Sequence, residues 1–441
     1  MWGERPAAIP LISQYRGLPR QVYLLLLCRI VTSMGMFVFP FLTLFLSGRL
    51  HFSDAEIGRY LLLAALTIVP GALLGGKLAD RFRRKYVYIT MVVISDIFYI
   101  LAGFYCERLW VVWPILGGYA FLNMGNPILA AMMMDLTQPE NRQESFSLIY
   151  LGYNLGFAVG PMLAGLMFEN YTRWLFFGQA SMTLCAALLI GLLIRDATPG
   201  EEERKRVAAD KSRAREQAQQ GSLLRQLARS PLVAAFALLA SAYAFSYSQI
   251  NYILPLQMAD LFGISRGARY FGVVWSLNGL CVFLFAPLAV LVFKRFPPLF
   301  NMAVTGLMYC LGFGLYAALH EIGMMYGLVA LWSAGEVVAA TNSGVFIANH
   351  SPISHRARFQ SLYDVIQGLG RSFGPLVMGS YLTGHEINSA WLVLGGICGA
   401  AAAAFFIMNR LVLARERKSQ GLPAAFGPED RANALVLSKT H

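Results

Sequence analysis

Twelve times along this chain an apolar stretch of about 20 residues recurs, long enough to cross a lipid bilayer. The stretches, numbered here as spans 1 to 12, lie at 21–47, 55–76, 86–106, 109–134, 145–168, 174–194, 232–258, 270–293, 299–319, 324–348, 359–382 and 389–409. A backbone in lipid must satisfy its own hydrogen bonds, so each span is expected to be a helix. Only 14% of the 441 residues are charged, against about a quarter in soluble domains. The fold class expected is therefore an all-α membrane protein.

The formal net charge of +12 first suggests a nucleic-acid partner, but the distribution of the charge argues otherwise. With the N-terminus placed inside, most of the Lys and Arg fall in cytoplasmic segments. The outer side holds Arg49, Arg59, Arg108, Arg173, Arg266 and Arg269. That asymmetry is the positive-inside bias of membrane proteins; it sets orientation, with both termini cytoplasmic, and gives no support for DNA or RNA binding. The six cysteines are scattered through apolar segments without metal-ligand spacing and read as small hydrophobes. Span 1 is too long for a cleavable leader and reads as an anchor.

Six spans precede residue 195 and six follow residue 231. The expected organisation is an N-terminal segment 1–20, a first six-helix bundle 21–194, a charged cytoplasmic linker 195–231, a second bundle 232–409 and a tail 410–441. The linker reads as a solvated tether. The halves echo one another: residues 142–165 and 356–379 align at a constant shift of 214 residues. At that shift Arg142 meets Arg356, Ser147 meets Ser361 and Leu148 meets Leu362. Gly156 meets Gly370, Gly160 and Pro161 meet Gly374 and Pro375, and Gly165 meets Gly379. Span 5 is thus repeated as span 11. Parallel six-helix repeats about an axis normal to the membrane are one way transporters build alternating access.

Five charged side chains lie inside the apolar spans: Arg29, Asp96, Glu336, Asp364 and Arg371. An ionisable group at the bilayer centre costs roughly 2.5–3.5 kcal/mol on insertion scales, so it marks a pathway, a proton relay or a buried pair. Glu336 and Arg371 lie at similar depth, which leaves open a proton or substrate role for Glu336 and a static pair with Arg371. Asp364 and Arg371, seven residues apart, share one face of span 11. Arg29 lies near the level of Asp364, as an anion contact or as its partner. No histidine lies deep in a span, so a proton relay has to rest on carboxylates.

Between spans 2 and 3 the chain reads G-G-K-L-A-D-R-F-R-R-K-Y from Gly75. This resembles the loop signature G-x-L-a-D-r-x-G-r-k of the major facilitator superfamily. Gly76, Leu78, Asp80, Arg81, Arg84 and Lys85 match it, while Arg83 replaces its second glycine. Gly75 and Gly76 suit a close approach of helix ends. Asp80 is suited to the N-terminus of a neighbouring helix, by resemblance span 11. The resemblance pairs Arg84 with an acid at the cytoplasmic end of span 4, where Asp135 stands, and makes the group a latch of the outward-open state. In span 5, G-F-A-V-G-P-M-L-A-G from Gly156 resembles the motif of the 12-helix drug:proton antiporter branch. Gly156, Gly160 and Gly165 would pack closely there, and Pro161 would kink the helix. The Gly335-Glu336 pair resembles that of bacterial multidrug exporters in the same superfamily.

The resemblance implies two pseudo-symmetric six-helix bundles, with spans 1, 4, 7 and 10 lining a central cavity, span 11 beside them and span 3 peripheral. Asp96, on span 3, is accordingly a weaker proton-coupling candidate than Glu336 and Asp364. Asn123 and Asn126, Gln249, Asn251 and Gln257, Asn342, Tyr243 and Tyr247 are the neutral candidates for the lining, together with Arg29 and Arg371. A large, mostly apolar cavity with few polar anchors suits amphipathic substrates.

The function expected is proton-coupled export of amphipathic compounds by alternating access. The alternative is proton-coupled transport of a defined anionic solute, such as a peptide, organic acid or lysophospholipid, held by Arg29 and Arg371. A non-transporting receptor fits the doubled plan poorly. No P-loop, zinc-type His/Glu cluster or nucleophile elbow is present in the sequence, so an enzyme is not expected. The expected partners are a small-molecule substrate, protons and membrane lipids, with no cofactor beyond a proton gradient and no metal. The expected setting is a monomer in a bacterial inner membrane.

Overall fold

The computed structural model describes residues 15–138, 141–196, 230–350 and 356–419. Most of the expected linker 195–231 and tail 410–441, the segment 1–14, His355 and the side chains of Asp80, Arg142, Arg356 and Ser361 lie outside the described residues. The chain forms α1 (Arg20–Met34), α2 (Val38–Gly48), α3 (Asp54–Leu66), α4 (Ile68–Arg81), α5 (Arg84–Phe104), α6 (Val112–Asp135), α7 (Arg142–Met167) and α8 (Thr172–Leu193). There follow α9 (Pro231–Ser248), α10 (Ile253–Phe293), α11 (Pro298–Gly314), α12 (Ile322–His350), α13 (Arg356–Leu382) and α14 (Ile387–Ser419). Among the described residues, nine helical stretches are long and apolar enough to cross a membrane, and one of them, Pro231–Phe293, runs through two of the predicted spans. This is consistent with the twelve spans read from the sequence.

Three spans are broken, each for the same reason. Span 1 divides between α1 and α2, span 2 between α3 and α4, and span 7 between α9 and α10. In each case a proline (Pro40, Pro70, Pro255) stands third in the new helix. There its missing N–H costs nothing, while farther in it would remove an intrahelical bond. At the first break the Val38 amide donates to Gln179 Oε1 of α8 at 2.9 Å. At Ser53 a capping box with Glu56 starts α3, Ser53 N donating to Glu56 Oε2 at 2.8 Å. Spans 7 and 8 are joined within α10 through Gly263, whose φ of 77° and ψ of 156° only glycine adopts without strain.

In lipid, helices are held by close packing of small residues more than by the hydrophobic effect. Here the glycines repeated at the 214-residue shift meet equivalent partners. Gly156 and Gly160 press α7 onto the Ile30 and Met34 carbonyls of α1, and a Cβ on Gly160 would lie 2.6 Å from the Met34 oxygen. Gly370 and Gly374 press α13 onto Ser241 and Phe245 of α9; a Cβ on Gly370 would lie 2.6 Å from the Ser241 carbonyl oxygen. Gly165 meets the Ala268 carbonyl of α10 at 2.7 Å by the same measure, and Gly379 meets the Asp54 carbonyl at the start of α3 at 2.8 Å. Each repeat helix therefore packs inside its own half with its first two glycines and across to the other half with its third. The main seams between halves are α7 on α10 and α3 on α13, and α2 also packs on α10.

Hydrogen bonds reinforce the seams at one end. Thr43 Oγ1 donates to the Asn251 carbonyl at 2.6 Å, and Tyr252 OH donates to the Asp54 carbonyl at 2.7 Å. Ser265 Oγ donates to Glu169 Oε2, and Arg269 Nη2 lies 3.5 Å from the same oxygen. Arg49 donates to the Glu169 carbonyl. This is the end that the charge bias of the sequence leads one to expect outside.

Candidate functional site

Glu336 is half-buried on α12, beside α10. Its Oε2 accepts from Asn278 Nδ2 of α10 at 2.8 Å, and the same amide donates to Ser333 Oγ at 2.9 Å. Tyr247 of α9 turns its phenol to the carboxyl. Tyr150 and Tyr153 of α7 come within electrostatic reach of it from the opposite half. Near it, Gly279 of α10 abuts Ala158 and the Asn154 carbonyl of α7. One turn beyond, Tyr150 is half exposed.

Arg371 of α13 lies within electrostatic range of Glu336. It continues the helix face on which Tyr363 donates to Ser343 of α12 at 3.0 Å and Gln367 lies against Ala237 of α9. Arg29 of α1 places its guanidinium 4.7 Å over the Tyr153 ring, a cation–π contact. From there aromatic rings run across the seam. Tyr153 stacks on Phe157 at 5.6 Å, Phe157 sets its edge on Trp275 at 5.2 Å, Trp275 reaches Trp332 at 6.4 Å, and Trp332 reaches Tyr247 at 5.7 Å. The indole N–H of Trp275, a residue 5% exposed, is buried without an acceptor.

None of the ion pairs among the described residues includes Arg29, Asp96, Glu336, Asp364 or Arg371. The structure therefore brings Glu336, Arg29, Arg371 and Tyr247 to one place without joining Glu336 to Arg371 or Arg29 to Asp364. Asp364 is exposed and accepts from Gln360 Nε2 on its own helix at 3.0 Å. Asp96, 3% exposed, is enclosed between α5 and α8, where Thr183 Oγ1 donates to its Oδ1 at 2.5 Å and its Oδ2 has no partner.

Several neutral candidates serve the interior of the second half. Tyr243 OH donates to the Met302 carbonyl at 3.0 Å. Gln257 donates to the Tyr316 carbonyl and accepts from Trp391 Nε1, both at 2.8 Å. Asn342 accepts from Asn301 at 2.7 Å. Gln249 donates to the Phe245 carbonyl at 3.0 Å, and the side-chain oxygens of Gln249 and Asn251 are buried without a partner. On α6, Asn123 Nδ2 donates to the Tyr119 carbonyl at 2.8 Å, and Asn126 donates to Asn123 Oδ1 at 3.2 Å. Sequence reasoning missed Asn278, Tyr150, Tyr153 and Trp275. The one signal for Asn278 was an amide inside the apolar run that begins at Phe271.

At the other end, Arg84 Nη1 donates to Asp135 Oδ1 at 2.5 Å and to the Ala131 carbonyl at 3.1 Å. Lys85 Nζ donates to the Ile194 carbonyl at 2.8 Å. From the start of α5 both cations thus reach carbonyls at the C-terminal ends of α6 and α8, where the dipole favours them. Gly75 abuts the Met124 carbonyl, whereas a Cβ on Gly76 would meet nothing within 4 Å, and Arg81 lies 5.6 Å over the Phe82 ring.

Known proteins agree with this architecture. The nucleoside transporter NupG superposes with a TM-score of 0.71 at 16% identity, covering 88% of this chain and 99% of that one. A bacterial homologue of the human lysosomal transporter Spinster, in an inward-facing and occupied conformation, gives 0.67 at 15% identity, covering 88% and 96%. In sequence, the chain is 22% identical over 364 residues to a Na(+), Li(+), K(+)/H(+) antiporter of Planococcus maritimus, covering 77% of this chain and 84% of that protein. It is 23% identical over 403 residues to the multidrug resistance protein MdtH of Photorhabdus laumondii, covering 87% and 93%. The family model described as Major Facilitator Superfamily matches residues 25–375 and 242–438, most of the chain, and the chain belongs to that superfamily.

Proposed function

We propose that the chain exports amphipathic compounds in exchange for protons. The observation that carries this reading is the setting of Glu336: a carboxylate of one half, bonded to the neutral Asn278 amide and faced across the seam by tyrosines of the other half. A carboxylate that enters no ion pair among the described residues, with Arg371 only within electrostatic range, is suited to exchanging a proton at membrane depth. Tyr153 and Tyr247, the partly exposed ends of an aromatic run whose inner rings are core, offer aromatic faces to the substrate. The units that rock are the halves 21–194 and 232–409. The closed end is the outer one; Arg84 and Asp135 already pair inside the first half in this state, which leaves Asp80 as the group that latches onto span 11 in the opposite state. The protein works as a monomer in a bacterial inner membrane, with both termini cytoplasmic, driven by the proton gradient without a cofactor. The antiporter and multidrug relatives support this reading by name.

The test is transport in proteoliposomes under an imposed pH gradient. Wild type is expected to move an amphipathic dye against its gradient, and Glu336→Gln to move it only down its gradient. Gradient-driven flux that persists in Glu336→Gln overturns the reading.

A further inference from the structure

We propose that the site takes a substrate with an aromatic body and a net negative charge, its anionic group held between Arg29 of the first half and Arg371 of the second. The inference rests on the reading of this site as the transport site and adds the charge of its substrate.

The first half contributes one cation, Arg29, which lies 4.7 Å over the Tyr153 ring and enters no ion pair among the described residues. The second half contributes Arg371 and Glu336, and neither enters an ion pair among the described residues. With Glu336 ionised the set carries one net positive charge, and with Glu336 protonated it carries two. Asp364 does not cancel the excess. It lies two turns along α13 from Arg371, about 10 Å along the axis, and is engaged by Gln360.

While the site is open to water, hydration supports the guanidinium groups. Closing the halves around an empty site would strip that water from unpaired cations, which is costly at membrane depth. An anionic ligand removes this cost by supplying each guanidinium with a charge-assisted hydrogen bond. The hydrogen-bonding inventory points the same way. The acceptor Glu336 is already bonded to Asn278, whereas the donor Trp275, one turn from Asn278 on α10, has a buried N–H with no acceptor. The partly exposed rings of Tyr153 and Tyr247, at the two ends of the aromatic run, account for the aromatic part of the ligand.

The test uses three probes of one shape, 1-naphthylacetate, 1-naphthylacetamide and 1-naphthylethylamine, binding to the full-length protein in lipid nanodiscs. Wild type is expected to bind the carboxylate about tenfold or more tightly than the amide, and the amine least well. Arg29→Gln and Arg371→Gln are each expected to lower carboxylate affinity about tenfold while leaving the amide unchanged. Arg29→Lys is expected to recover part of the loss. Equal binding of the three probes, a preference for the amine, or carboxylate binding indifferent to both arginines overturns the proposal. The wild-type comparison needs no variant to fold. A pH-gradient flux assay with the same probes separates the two readings. Driven flux of the amine in preference to the carboxylate leaves the export reading standing and overturns the charge assignment. Arginine-dependent carboxylate binding without driven flux leaves the charge assignment standing and removes proton-coupled export.

Discussion

Gly272 on α10 and Pro161 on α7 meet backbone to backbone across the seam between the two halves: a Cβ on Gly272 would fall 2.5 Å from the Pro161 carbonyl oxygen. The contact recurs at the 214-residue shift, where Gly58 on α3 abuts the Pro375 carbonyl on α13. Neither carbonyl can swing aside without moving its helix, so a side chain at either glycine has to part the halves. Gly272→Val and Gly58→Val are each expected to oppose this closed arrangement by about 1–3 kcal/mol, the usual cost of overpacking. Spin labels at the exposed positions Tyr171 and Arg266 report the opening as a longer interlabel distance. A distance distribution unchanged in both variants contradicts the packing argument.

The polar contacts at the same end are expected to matter less. Glu169 and Arg269 are each close to half exposed, and their ion pair spans 3.5 Å. Exposed pairs of this kind contribute about 0–1 kcal/mol and are screened by salt. Glu169→Gln should therefore change the same interlabel distribution by less than Gly272→Val, and raising the salt concentration should shrink the difference from wild type. A shift in Glu169→Gln as large as that in Gly272→Val would make the ion pair, not the backbone contact, the main closure.

Asn278 and Glu336 form one polar unit between α10 and α12, at 2.8 Å. Replacing Asn278 alone leaves a half-buried carboxyl without its amide donor, at a cost of about 1–3 kcal/mol. Replacing both partners by apolar residues removes that penalty. Asn278→Leu is expected to lower the unfolding temperature in detergent, and Glu336→Leu to offset much of the loss when combined with it. The double-mutant cycle measures this coupling. Strictly additive effects would show that the two side chains do not depend on each other.

The fold was legible in the sequence because its signals are local. Apolar length marks a span, whereas the breaks inside spans 1, 2 and 7 were not read from it, because proline alone does not mark one: Pro127, Pro161 and Pro375 lie inside continuous helices. The repeated glycines of spans 5 and 11 could be paired by eye, and their partners follow the pairing. The site was only half legible. Glu336, Arg29 and Arg371 stand out as charges in apolar runs, but depth along a helix says nothing of rotation about it. Arg29 could thus be matched to Asp364 by level, whereas its guanidinium lies over Tyr153. For the same reason Gln257 and Tyr243 look like cavity residues in the sequence yet bond within the second half. Asn278 carries no charge to draw attention, and its importance comes from the carboxyl it meets 58 residues later.

Asp96 tests whether depth or position decides the role of a carboxyl. Like Glu336 it is a lone acid in an apolar span, but it faces α8 inside the first half, where Thr183 Oγ1 holds its Oδ1 at 2.5 Å. Thr183 stands one turn from Gln179, whose side-chain oxygen accepts the Val38 amide freed by the break in span 1. Asp96 therefore belongs to the polar stitching of α2, α5 and α8, away from the surface where the halves meet. Asp96→Asn, which keeps shape and an acceptor for Thr183, is expected to retain gradient-driven transport within about twofold, a change under 1 kcal/mol. Thr183→Val, which strips the remaining hydrogen bond from a buried carboxyl, is expected to destabilise the fold by about 1–3 kcal/mol. Both are read against Glu336→Gln in the same proteoliposome and thermal unfolding assays. A loss of driven transport in Asp96→Asn as deep as that in Glu336→Gln would put a proton-carrying group in the first half as well, and would mean that membrane depth alone selects the coupling carboxyl.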